Sequence, residues 1–214
     1  FENFKNKIIP DVITLSKAMG GGKSSISCLV INDDIYKLAY NKLSDTFLHT
    51  TTYNGFGEES LTALEAINIL SSDEINVKAK SLSSYLWKKL SDIKKAHPNK
   101  VDEIKGTGIL NGIIFKSYAS EIAKLVEKFP LKFISDKSFF LKKITATAIS
   151  CELYEKYNIL TAISDSSNSN HLFVTPSLIV ENEEIDYFFS SLDKVLKSNV
   201  NLKSLEIIFK FLKS

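Results

Sequence analysis

The chain has 214 residues, 44% of them hydrophobic and 24% charged, with a net charge of +2. That size and balance describe a globular protein with a real core, in one large domain or two small ones. They give neither the basic surface of a nucleic-acid binder nor the apolar length of a membrane span, and the first residues show no signal-peptide pattern. All 27 cations are lysines, so no guanidinium fork from this chain can grip a carboxylate or phosphate in two places. Cys28 and Cys151 lack metal-type spacing and read as reduced core residues. His49, His97 and His171 are too scattered for a metal site. The composition is of a cytoplasmic type.

Residues 11–16 (DVITLS) read as a short extended run that ends on Lys17 and the turn Ala18-Met19-Gly20-Gly21-Gly22. A lysine that loses its charge can attack a carbonyl, as Schiff-base enzymes do when they hold pyridoxal phosphate. The glycines beside it tolerate positive φ and let another backbone or a ligand come close. A phosphate-binding P-loop is the rival, since Gly22-Lys23-Ser24 has its ending. That motif needs a glycine where Lys17 stands, and the reading fails. A solvated lysine beside a flexible turn is the plain alternative.

Ile26–Ile31 reads as a buried strand, and Asp33 and Asp34 open a helix reaching about Tyr40. Residues 44–56 form a hydroxyl-rich polar loop. Glu58–Leu70 is helical, with Leu61, Leu64, Ile67 and Leu70 about one turn apart. Ser71 and Glu74 have capping-box spacing and start a second helix. Its buried stripe is Ile75, Ala79, Leu82, Leu86, Leu90 and Ile93, and His97-Pro98 ends it. Gly108–Phe115 reads as a strand, 117–142 has no usable pattern, and a helix covers about 144–157. Strands are expected near 158–163 and 171–175. A helix over 182–197 turns Ile185, Phe188, Phe189, Leu192 and Leu196 to one side. Leu202, Leu205, Phe209 and Leu212 mark a last helix. The mixture indicates an α/β fold, and the composition shift near residue 72 suggests domains over 1–72 and 73–214.

Four stretches in order carry a family resemblance. Pro10-Asp11 through Lys17 to Gly22 resembles the cofactor-lysine motif of the class III aminotransferases, fold-type I pyridoxal-phosphate enzymes. The run from His49 through Thr50, Thr51, Thr52, Tyr53 and Asn54 to Gly55 is similar to that family's histidine-to-threonine loop. Gly106–Phe115 is similar to the strand opening its small domain, and Leu172–Leu178 with Glu183–Asp186 to its closing strand and helix. The resemblance implies that 1–72 is the C-terminal part of the large cofactor-binding domain and that 73–214 is the small C-terminal α/β domain. The chain is then the C-terminal half of a subunit, expected to be inactive alone. The glycine-rich phosphate cup, the stacking aromatic and the aspartate that pairs with the pyridine nitrogen belong to the other half.

The same resemblance implies roles. Lys17 would hold pyridoxal 5'-phosphate as a Schiff base and then serve as general base for the proton shift, its basicity lowered by burial and by the cofactor's field. Thr52, assisted by Thr51, would hydrogen-bond the cofactor phosphate of the neighbouring subunit, which implies a homodimer with shared active sites. The expected reaction is ping-pong transfer of an amino group between an amine or ω-amino donor and a keto acid. An aminomutase, an aminotransferase on a carrier-bound substrate, and a non-catalytic remnant are the alternatives. Two departures stand out. Phe173 occupies the place of an arginine that often grips a substrate carboxylate, and Phe56-Gly57-Glu58 replaces the usual asparagine and proline after Gly55.

Overall fold

The computed structural model describes residues 9–116, 137–164, 171–198 and 200–213. The fold is mixed α/β, and the chain divides into two compact units, Phe1–Asn76 and Val77–Ser214. The division falls four residues beyond the composition shift at 72.

In the first unit, β1 (Val12–Leu15) pairs antiparallel with β2 (Cys28–Ile31), Val12 opposite Ile31 and Leu15 opposite Cys28. Successive side chains alternate between faces, so both faces of this two-stranded sheet are apolar. Neither is fully covered by the described residues: Val12 and Leu29 are 46% and 43% exposed on one face, Val30 and Leu15 47% and 43% on the other. The expected buried strand over 26–31 is therefore shorter and half-open. Cys28 and Cys151 are likewise free but only half-buried, against the expectation of core burial.

Helix α1 (Asp33–Ala39) starts as anticipated, with the Asn32 side chain accepting the Asp34 N–H at 2.8 Å. That bond satisfies one of the first-turn amides that have no partner inside a helix. A 3-10 turn, Leu43–Phe47, interrupts the polar loop, held by Asp45 accepting from Lys42 N at 3.0 Å. Helix α2 (Gly57–Leu70) follows. Of its side chains only Ala63 is buried, and Leu61, Leu64, Ile67 and Leu70 all remain exposed.

Helix α3 (Asp73–Ala96) begins one residue later than the Ser71 cap predicts, because Ser72 takes that role, its Oγ accepting from Ile75 N at 3.4 Å. Leu82, Leu86, Leu90 and Ile93 form its buried stripe, while Ile75 and Ala79 are half-buried.

The second unit is built on a three-stranded antiparallel sheet ordered β3 (Val101–Thr107), β4 (Leu110–Phe115), β5 (His171–Val174). β3 was not anticipated. Its edge position lets Asp102, Glu103 and Lys105 face solvent, which hides the alternation. Helix α4 (Lys137–Tyr157) starts seven residues before the expected 144; of the patternless stretch, 117–136 lies outside the described residues. The strand expected over 158–163 reduces to one bridge, Ile163 to Leu172, with Phe173 N donating to Ala162 O at 2.8 Å.

Helix α5 (Asn182–Lys197) buries Ile185, Phe189, Leu192, Val195 and Leu196, with Phe188 partly covered. Among the described side chains of helix α6 (Val200–Lys213), Val200, Ser204 and Ile208 are buried. Leu205 there is half-buried, and the side chains of Leu202, Phe209 and Leu212 lie outside the described residues.

Leu86 and Leu90 from α3, Ile113 from β4, Leu153 from α4, Leu172 from β5 and Leu192 from α5 meet in one core. At about 25 cal/mol per Å² of apolar surface removed from water, such burial is the main stabilising term. Polar pairs align α3 with α5: Lys78 to Glu181 at 3.5 Å, Tyr85 Oη and Lys89 to Asp186 at 2.6 and 2.5 Å, and His97 to Asp193 at 2.8 Å. The pairs climb both helices together, so the two run parallel. Lys100 Nζ donates to the carbonyls of Leu196 and of Ser198 (3.0 Å), closing the C-terminus of α5 where the helix dipole favours a cation.

Candidate active site

β1 delivers the chain to Ser16, still extended, and Lys17 then turns sharply with φ 58° to open the 3-10 turn Lys17–Gly20. Only two non-glycine residues among those described have positive φ, and the other, Asn158, is of a type that tolerates it. For a lysine the left-handed region costs about 1–2 kcal/mol. The surrounding backbone maintains it. Met19 N donates to Ser16 O at 3.3 Å, Gly21 N to Ala18 O at 3.0 Å, and Lys23 N to Gly20 O at 3.0 Å. Gly21 and Gly22 continue at φ 59° and 71°, conformations available to glycine at no steric cost.

Helix α2 packs on this turn, and a methyl group at Gly21 would sit 3.4 Å from the Ala66 Cβ. Gly20 is buried against Ser24, whose Oγ would lie 3.3 Å from an added Cβ. Two polar atoms of this unit, Ser24 Oγ and Glu59 Oε2, are enclosed without a hydrogen-bond partner. Reading the sequence met Ser24 only as the ending of the rejected P-loop and did not single out Glu59. Glu59 lies at i, i+4, i+7 spacing with Ala63 and Ala66, and that shared helix face was the available signal.

Lys17 is exposed in this chain, and among the described residues it has no ion pair or hydrogen bond through its amine. The burial expected to lower its basicity is not supplied by these residues. Thr51 and Thr52 are exposed too, in a turn closed by Asn54 N donating to Thr51 O at 3.1 Å and Phe56 N to Tyr53 O at 3.2 Å. Gly55 completes it at φ 75°. Among the described residues no bond joins Lys17 to either threonine. What connects them is α2, which leaves the threonine turn at Gly57 and packs on the lysine turn.

The donor set suits a phosphorylated aldehyde. An amine without an acidic partner can become a nucleophile, and free hydroxyls can donate to phosphate oxygens. The positive-φ turn keeps side chains away from the lysine's neighbours, with no atom within 4 Å of a Cβ added at Gly22.

In the second unit, Phe173 meets His171 edge-on at 4.7 Å. Burial, and then the charges of Lys105 and Lys143, hold the His171 imidazole below its ordinary pKa. Lys105, Gly112 and Phe173 stand opposite one another across the three strands. Lys105 pairs with Glu103 at 3.3 Å. The position of Phe173 thus offers an aromatic edge and no cation of its own.

A family model described as aminotransferase class-III matches residues 2–196. Solved structures share the fold at low identity. A transaminase from the marine bacterium Virgibacillus is 18% identical with a TM-score of 0.71, and the match covers 95% of this chain and 42% of that one. An ornithine aminotransferase from Plasmodium yoelii is 24% identical with a TM-score of 0.65, over 91% of this chain and 43% of that one. An adenosylmethionine-8-amino-7-oxononanoate aminotransferase from Methanocaldococcus jannaschii is 20% identical with a TM-score of 0.69, over 92% and 41%. The chain therefore spans less than half the length of these structures.

Proposed function

The chain belongs to the class-III aminotransferases, and from that membership we propose that it serves as the C-terminal part of a pyridoxal-phosphate-dependent subunit. Such a subunit moves an amino group between an amine or ω-amino donor and a keto acid in two half-reactions. The observation that carries this reading is the exposed amine of Lys17, without an ion pair or hydrogen bond among the described residues and held just past a strand end in a conformation that costs energy. Strain of that kind concentrates at functional sites.

Pyridoxal phosphate supplies an aldehyde to carry the nitrogen and a ring that withdraws electrons. Lys17 is the residue to hold it covalently. Once an incoming amine has taken its place, the Lys17 Nζ would be free to move a proton from the donor carbon to the carbon of the former aldehyde in the first half-reaction, and to run the same shift in reverse, onto the acceptor carbon, in the second. Thr51 and Thr52 are the hydroxyl donors for the phosphate.

In this proposal those threonines serve the site of a neighbouring copy, making a homodimer with shared active sites. Leu48, Tyr53, Phe56 and Leu61, all exposed around the threonine turn, support a surface that a second chain covers. With Phe173 in that place and no arginine in this chain, a donor carboxylate would be gripped by a lysine or by another part of the subunit, or the donor lacks that carboxylate. We take the compartment to be cytoplasmic, in keeping with two unpaired cysteines. Among the described residues no helix is long and apolar enough to cross a membrane.

The test is chemical. In a subunit that turns over, borohydride reduction should fix the cofactor to Lys17, read by peptide mapping. A label on any other lysine, or none, would remove Lys17 from the mechanism.

A further inference from the structure

We draw no further inference here: the strongest candidate, the uncovered apolar stripe of α2 beside the two open faces of the β1–β2 sheet, belongs to the incomplete-subunit and homodimer reading already proposed, and nothing in the structure shows what else covers it.

Discussion

A lysine in the left-handed region has a cost that can be measured separately from its chemistry. Asparagine tolerates that region better than lysine does. Lys17→Asn should therefore leave stability unchanged or raise it by up to about 1 kcal/mol, while transamination in an active subunit disappears. A clear loss of denaturation midpoint would mean that Lys17 contributes packing, and the strain argument would fail. Glycines divide in the same way. At Gly106 an added Cβ would lie 2.2 Å from the Leu110 carbonyl oxygen and 2.7 Å from Asn111, at φ 138°, whereas at Gly22 it would meet nothing. Gly106→Ala should cost about 3 kcal/mol or more and Gly22→Ala only about 1 kcal/mol, both read from urea midpoints. The lysine, its glycines and the threonine run could be picked out from the sequence because residue type and order carry them. The positive φ of Lys17 could not, since the turn hydrogen bonds around it impose that angle and lysine's own preference opposes it.

Helices whose apolar stripe meets a core were the easiest elements to anticipate. Leu82, Leu86, Leu90 and Ile93 in α3 and Ile185, Phe189, Leu192 and Leu196 in α5 are all buried where periodicity put them. β3 escaped because an edge strand needs only one apolar side, and Val101 and Ile104 are too few to set a period. Between α3 and α5 the pairing at Asp193 makes a pH prediction. Lys197 at 2.6 Å, and then His97, hold the Asp193 carboxyl below its ordinary value of 3.8. A carboxylate with a depressed folded pKa adds stability that is fully present above its unfolded value and lost as pH falls through the folded one. Asp193→Asn should thus lower stability at pH 7 by roughly 1 kcal/mol or less, given how much of Lys197 is in solvent. The difference from the parent should shrink as pH falls below the ordinary carboxyl value of 3.8 and on through the depressed folded one, where the Asp193 carboxyl becomes as neutral as the amide. A gap that persisted unchanged into acid would assign the effect to packing instead.

At the scale of the molecule the two units differ in how much they bury. The second has one continuous core drawn from α3, the sheet and three further helices. Among the described residues the first has one buried apolar side chain, Ala63, and a two-stranded sheet with half-exposed side chains on both faces. Two strands alone are marginal in water, and an apolar sheet surface left exposed invites association. A piece starting at Ser71, which keeps the Ser72 cap of α3, should consequently unfold in one cooperative step with the midpoint of the main transition of the whole chain. Backbone amides of β1, β2 and α2 should exchange with solvent far faster than those of α3 and α5, since local opening there exposes little that was buried. A last prediction, resting on the proposed function, is that the chain by itself gives no turnover. Its lysine is exposed among the described residues, with no enclosure there that would exclude water from the amine. Incubated alone with pyridoxal phosphate, an amine and a keto acid, the chain should give no measurable amino transfer above free cofactor. Amino transfer that exceeds that background and vanishes in Lys17→Ala would prove the isolated chain sufficient and the incomplete-subunit reading wrong.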